Sequence, residues 1–264
     1  MSWFIRPLIQ AFSLYSRIPM PKVKWEDTHD GRILIYFPLV GTLIGAVMSG
    51  WLFLCGILSI PVTAAAFVLV AIPIIITGGI HLDGFIDTAD ARHSFGDREK
   101  RLAILSDPHV GAFGVIRLIL YILVALAAVV VILQGADNTL MPIQVLTMTF
   151  SRTLSGWTSV TWQGAKKDGM LRSVAGDADG NAGHQGAVRI VLAVEAIAVG
   201  AAMIVISPIG GAIVVVACLA MMGIYYLMAM KDFGGVTGDL AGWFLCMTEL
   251  IASVAMAVFI TAGF

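Results

Sequence analysis

Long apolar runs constrain this chain more than any other feature. Stretches near twenty residues recur at 33–56, 62–80, 111–133, 140–160, 187–207, 208–230 and 240–262, close to the roughly 20 residues a helix needs to cross the hydrocarbon core. None alternates with the two-residue period of an outer-membrane strand, so all are expected to be helices, whose backbone groups are satisfied within the segment. Composition agrees. The chain is 59% hydrophobic and 12% charged, against roughly 45–50% and about a quarter in soluble domains, and its mean hydropathy is +0.92. The expected fold is all-α: a polytopic integral membrane helix bundle with about seven transmembrane helices, forming a single domain over 1–264.

The connections divide by charge. Those at 57–61, 134–139 and 206–209 hold no Lys or Arg, and Asp137 is their single charge. The segments on the other side are 1–32, 81–110, 161–186 and 231–239. They hold Arg6, Arg17, Lys22, Lys24, Arg32, Arg92, Arg98, Lys100, Arg101, Lys166, Lys167, Arg172 and Lys231, 13 of the 16 basic residues. The positive-inside rule makes that side cytoplasmic and leaves the C-terminus outside. In the N-terminal segment, Trp3, Phe4, Leu8, Ile9, Phe12 and Tyr15 recur at helical spacing. That pattern predicts an interfacial helix with Arg6 and Arg17 toward headgroups; the alternative is an irregular eighth span ending before Pro19 and Pro21. No signal peptide is expected. A net charge of −1 gives no case for nucleic acid, and Cys55, Cys218 and Cys246 fall inside apolar spans, where a cysteine reads as a small hydrophobe.

Polar chemistry concentrates on the cytoplasmic side. In "GGIHLDGFIDTADA" (78–91), Asp83, Asp87 and Asp90 stand at i, i+4 and i+7, one face of a helix. Like charges about 6 Å apart repel by roughly 3 kcal/mol at an effective dielectric near 20, and each charge near hydrocarbon costs roughly 2.5–3.5 kcal/mol more. A positive partner is required. One reading is a solvated helix end with Arg92, Arg98, Lys100 and Arg101 as countercharge. The other is a hard cation such as Mg²⁺ held by carboxylate oxygens, and Gly78, Gly79 and Gly84 favour it because solubility alone has no need of close backbone approach. Magnesium on a few aspartates keeps places for phosphate oxygens, which points to phosphoryl or diphosphate chemistry. Arg98, Lys100 and Arg101 could then hold the remaining phosphate charge.

Three further clusters share that side. "ILSDPHVGAFG" (104–114) brings Asp107 and His109 to a helix start at Gly111 and Gly114. "FSRTLSGW" (150–157) sets Arg152 in an apolar run, a functional-site candidate by default. "DFGGVTGDLAGWFLCMTEL" (232–250) presents Thr237, Gly238 and Asp239 at a helix start, with Glu249 farther in. The exposed N–H groups at Gly111 and Gly238 are natural anion sites. Glu195 is expected to pair structurally with Arg189.

Together with "SRIP" (16–19) and "YFPLVG" (36–41), these stretches resemble the cobalamin synthase (adenosylcobinamide-GDP ribazoletransferase) family in order along nearly the whole chain. The resemblance implies a Mg²⁺-dependent transferase of the cell inner membrane, acting on the cytoplasmic side in the final steps of vitamin B12 biosynthesis. A ribose 3′-hydroxyl of α-ribazole, or of its 5′-phosphate, would attack the cobinamide-side phosphorus of adenosylcobinamide-GDP, and GMP would leave. It further implies that Asp83, Asp87 and Asp90 hold the metal, with Asp107 or Asp239 completing the site. His81 would be a substrate contact, a neighbour of the ligands or a hydroxyl-activating base. Arg152 would pair with phosphate or with Glu249, while Arg98, Arg101, Gly111, Thr237 and Asp239 would meet substrate. The implied partners are the corrinoid nucleotide, α-ribazole and the bilayer, with other nucleotide-loop assembly enzymes and a homo-oligomer left open. The chain departs from the family where D-S-R is common: it has Asp107, Pro108 and His109, and Ala91 and Arg92 follow Asp90. The competing readings are a CDP-alcohol phosphotransferase or prenyltransferase, and a transporter with Arg152, Glu195 and Glu249 as coupling sites.

Overall fold

A computed structural model describes residues 4–23, 31–135, 141–166, 169–175 and 182–263. Trp3, Lys24, Asp137 and Lys167 lie outside them. The helices are α1 (Ile5–Tyr15), α2 (Arg32–Ile35), α3 (Phe37–Leu58), α4 (Val62–Thr77), α5 (Ile80–His93), α6 (Arg98–Ile104), α7 (Ala112–Gly135), α8 (Met141–Thr161), α9 (Met170–Ala175), α10 (Ala182–Ile206), α11 (Pro208–Met228) and α12 (Gly238–Thr261). A π-helical turn, Ala229–Phe233, extends α11. Among the described residues there is no strand, only a parallel bridge between Gly164 and Val236.

Among the described residues, five segments are long and apolar enough to cross a membrane: Arg32–Leu58, Ala112–Gly135, Gln185–Ile206, Pro208–Phe233 and Gly238–Thr261. A sixth is reached only by counting α4 and α5 together, and the chain bends 95° between them. The polytopic bundle is as expected, and about seven spans is a little more than the five to six that length and apolarity alone give among the described residues, for two physical reasons. First, α4 stops after 16 residues because Gly78 and Gly79 both take positive φ (64° and 81°), a conformation that ends a helix and that glycine adopts without strain. Second, α8 is a long helix but a polar one. Its Gln144, Thr147, Thr149, Ser151, Arg152, Thr153, Ser155, Thr158 and Ser159 are all buried. It packs between α3, α10 and α12, so protein rather than lipid surrounds it and its side chains can hydrogen-bond across helices.

The N-terminal helix is present, and at 11 residues it spans only about 16 Å at 1.5 Å per residue. That rules out a crossing by α1. The core follows α12, which packs on α5, α7, α8 and α11. Tyr225 stacks on Phe244 at 4.6 Å between ring centroids, and Trp162 lies 5.3 Å from Tyr225. Glu195 does not pair with Arg189: Arg189 Nε donates to the Val160 carbonyl at 2.8 Å, and Glu195 Oε2 is buried without a hydrogen-bond partner among the described residues.

Candidate functional site

The polar end of the bundle is assembled where α5 lies across the first turns of α7 and α12. Close approach to α12 depends on two glycines. A Cβ on Gly84 would stand 2.7 Å from the Asp239 carbonyl oxygen, and one on Gly242 would stand 2.9 Å from the carbonyl oxygen of His81. Neither separation is tolerable for a real Cβ, so α5 and α12 touch backbone to backbone only as glycines. This contact draws Asp239 toward the carboxylates of α5. Half-buried Asp87 lies in the field of Asp83, Asp239 and Asp90. Asp239 in turn feels Lys166 as an attractive charge and Asp83 as a repulsive one.

Asp90 leaves this set. Its Oδ2 accepts from the Gly111 N–H at 2.8 Å and its Oδ1 from the Gly114 N–H at 2.8 Å. The carboxylate therefore caps the start of α7, satisfying donors that a helix N-terminus otherwise leaves orphaned. The same pair of bonds bears on two expectations. Asp90 shares the helical face of Asp83 and Asp87 yet is committed to protein, and the Gly111 amide, expected to meet a substrate anion, is already occupied. Gly111 and Gly114 are small because a Cβ on either would collide with the Asp90 carboxylate.

The other candidates fall apart in instructive ways. Asp107 is exposed and turns back on its own loop, accepting from the His109 backbone at 2.9 Å and contacting the His109 ring at 2.7 Å. These hydrogen bonds hold its carboxyl below the usual carboxylate range, and the structure does not bring it to the α5 cluster. His81 is buried with its ring beside Phe37 (5.6 Å) and Tyr15 (6.1 Å). Its Nε2 is sealed from solvent without a hydrogen-bond partner among the described residues, so it faces the interior and not a reacting hydroxyl. Arg152 pairs with Glu249, not with an open site. The guanidinium is 1% exposed, bonded to the Glu249 carboxylate, to the Met148 carbonyl at 2.8 Å and to Ser151 at 3.1 Å. Ser151 also donates to Glu249 at 3.0 Å.

Arg101 is neutralised at 2.8 Å by Asp232, which also lies 3.8 Å from Arg92. Exposed Arg98 lays its guanidinium on Gly234, where any Cβ would collide with it. Thr237 is the N-cap of α12, accepting from the Leu240 N–H at 3.2 Å. Three residues given no part in the site by the sequence prove to matter. Asp232 ties α6 to the turn before α12. Lys166 is carried toward Asp239 by the pairing of 163–165 with Val236, through Val236 N–H to Gln163 at 2.9 Å and Ala165 N–H to Val236 at 2.9 Å. Arg17, within the "SRIP" stretch, lines a cavity of about 660 Å³ that also has Asp83 in its wall.

Among the described residues, no three or more His, Cys, Asp or Glu side chains come together as a ready-made metal cage. Magnesium does not require one, because it is commonly bound by one or two carboxylates, with waters and substrate phosphates as its other ligands. The donor chemistry of Asp83, Asp87 and Asp239 is all-oxygen and fits that cation.

A family model described as cobalamin-5-phosphate synthase matches residues 7–257. The chain belongs to this family. Among its relatives, an adenosylcobinamide-GDP ribazoletransferase of Lachnoclostridium phytofermentans is 35% identical, covering 98% of this chain and 95% of the relative. One from Clostridium perfringens is 30% identical over 98% and 100%, and one from Pseudomonas fluorescens is 30% identical over 87% and 89%. No solved structure matches. Membership makes the protein a transferase of cobalamin biosynthesis and sets aside the CDP-alcohol, prenyl and transporter readings.

Proposed function

We propose that the protein joins adenosylcobinamide-GDP to α-ribazole or its 5′-phosphate, releasing GMP, at a Mg²⁺-dependent site facing the cytoplasm of the cell inner membrane. The observation that carries this reading is that Asp83, Asp87 and Asp239 lie in one another's electrostatic field at the polar end of the bundle, with Asp83 also in the wall of a large cavity, in a chain matched to the family over 7–257. Like charges held together by a glycine contact raise the free energy of the bundle unless a cation joins them. Asp83, Asp87 and Asp239 would hold Mg²⁺, which when bound neutralises the diphosphate and favours departure of GMP.

The chain's own residues orient the reactants around that point. Lys166, whose ammonium donates to Ser106 Oγ at 2.6 Å, supplies positive charge in the field of Asp239, and exposed Arg98 stands at the same end for the guanosine-side phosphate. Asp90 supports the site from behind by fixing α7. His81 contributes packing, so proton removal from the attacking hydroxyl falls to a carboxylate at the cavity wall or to solvent. The basic residues of 81–110 and 161–186 support a cytoplasmic orientation of this end under the positive-inside rule.

The test is to reconstitute the purified protein in lipid with adenosylcobinamide-GDP, α-ribazole and Mg²⁺. GMP and cobalamin should appear together in equal amounts. Folded protein that forms neither product across several lipids would sink the reading.

A further inference from the structure

The cavity of about 660 Å³ is lined by Ser13, Leu14, Ser16, Arg17, residues 77–80, Leu82, Asp83 and Ile86, and its occupant has not yet been assigned. Its volume lies within the roughly 300–1,000 Å³ of small-molecule sites. Its walls are of two kinds. Leu14, Ile80, Leu82 and Ile86 are apolar, whereas Ser13, Ser16 and Arg17 bring two hydroxyls and one guanidinium. Asp83 belongs both to this wall and to the carboxylate cluster, so an occupant of the cavity touches the reacting end.

Arg17 is held, not dangling. Its backbone N–H donates to the Ile76 carbonyl at 2.7 Å, and the preceding Ser16 hydroxyl donates to the Phe12 carbonyl at 2.6 Å. Its side chain lies over Gly78, where a Cβ would collide with it. Among the described residues, no carboxylate pairs with it, in contrast to Arg92 and Arg101 on Asp232 and Arg152 on Glu249. A guanidinium lying over Gly78 at the polar side of a half-apolar cavity, with no carboxylate partner among the described residues, is complementary to an amphipathic anion.

Resting on the proposed reaction, we infer that this cavity is the acceptor subsite: it takes a nucleotide with an apolar aromatic base, and Arg17 binds its 5′-phosphate. The base lies against Leu14, Ile80, Leu82 and Ile86, and the ribose hydroxyl edge faces Asp83. Arg17 is thereby the residue that favours the phosphorylated acceptor over the bare nucleoside. A phospholipid headgroup offers the same phosphate chemistry from the adjoining bilayer, and the experiment separates the two sources.

Steady-state kinetics of the reconstituted full chain are measured with α-ribazole 5′-phosphate and with α-ribazole, at saturating adenosylcobinamide-GDP. In Arg17→Gln the ratio of the two kcat/KM values, phosphorylated over bare, should fall roughly ten- to hundred-fold, the scale of a lost charged hydrogen bond, chiefly through KM. Arg17→Lys should restore part of it. Ser13→Asp, an exposed change that places a negative charge in the same cavity, should lower the ratio in the same direction and serves if Arg17→Gln does not fold. The assay is repeated in nonionic detergent without phospholipid, where the wild-type ratio should persist. An unchanged ratio in both variants overturns the inference. So does a wild-type ratio that exists only with anionic phospholipid, which would assign Arg17 to a headgroup. Wild-type protein inactive with both acceptors would refute the reaction itself, a separate failure.

Discussion

Arg152 and Glu249 sit inside the bundle and neutralise one another, whereas Asp83, Asp87 and Asp239 gather like charges at its polar end. Both groups looked functional in the sequence, since an ionisable residue in an apolar segment is a functional candidate by default. The difference lies in what the neighbours supply. Arg152 has a carboxylate, a hydroxyl and a carbonyl within hydrogen-bond reach, so its charge is compensated by protein. Asp87 has other carboxylates, so its compensation must come from elsewhere. Charges that complete one another hold helices together, and charges that repel one another beside an opening mark where a ligand binds.

Substitutions that treat the two groups differently put this contrast at risk. The largest effect is expected at the cluster: Asp87→Asn should reduce kcat by roughly a thousandfold, since the bound metal supplies several kcal/mol of transition-state stabilisation. Thermal melting without metal should be unchanged or higher, because one repulsive charge is gone. A melting temperature that drops sharply would make Asp87 structural and erase the distinction. Glu249→Ala should behave in the opposite sense, destabilising by about 3–5 kcal/mol because Arg152 is left buried and unpaired. Denaturant titration in mixed micelles reads this. An Arg152→Met, Glu249→Leu double variant should regain most of that loss, and failure to do so would mean that more than neutrality is supplied by the pair.

Gly84→Ala is a milder probe of how the cluster is assembled. The added methyl would meet the Asp239 carbonyl at 2.7 Å, so α5 and α12 must separate at a cost of about 1–3 kcal/mol. Activity should fall more than that loss of stability explains, because Asp239 moves with α12. The smallest change is expected at Asp90→Asn. It weakens the cap on α7 by about 0.5–2 kcal/mol while leaving turnover of the folded fraction within a few-fold of wild type. If Asp90→Asn is as inactive as Asp87→Asn, Asp90 is a ligand after all.

Most helix positions could be read directly from apolar runs. The run 111–133 became Ala112–Gly135, and 208–230 became Pro208–Met228 with its π-helical extension. What runs alone cannot report is whether a helix meets lipid or protein. That is why the polar character of α8, whose Ser and Thr are buried against other helices, does not show in the outline of its run. The site was half legible for a related reason. Helical spacing placed Asp83, Asp87 and Asp90 on one face, but spacing within α5 says nothing of what packs there, and the start of α7 claims Asp90. Asp239 was marked by its glycine-rich helix start, yet its approach to Asp87 depends on Gly84 fitting against α12, a contact between positions 155 residues apart. The neutralisation of Arg101 by Asp232 is likewise a tertiary fact. Arg17 read as a headgroup contact and as part of the "SRIP" stretch, not as a site residue, because nothing local shows that the α4–α5 bend opens a cavity beside it.

The central claim is that Asp83, Asp87 and Asp239 together hold the cation on which turnover depends. Its most direct test is GMP release by the lipid-reconstituted protein as a function of free Mg²⁺, in wild type and in Asp239→Asn. Wild-type turnover should vanish with EDTA, and Asp239→Asn should need at least roughly ten-fold more Mg²⁺ for half-maximal rate, at the low end of the losses known for disturbed metal sites. Turnover that persists in EDTA, or an Mg²⁺ dependence identical in the two proteins, would contradict it.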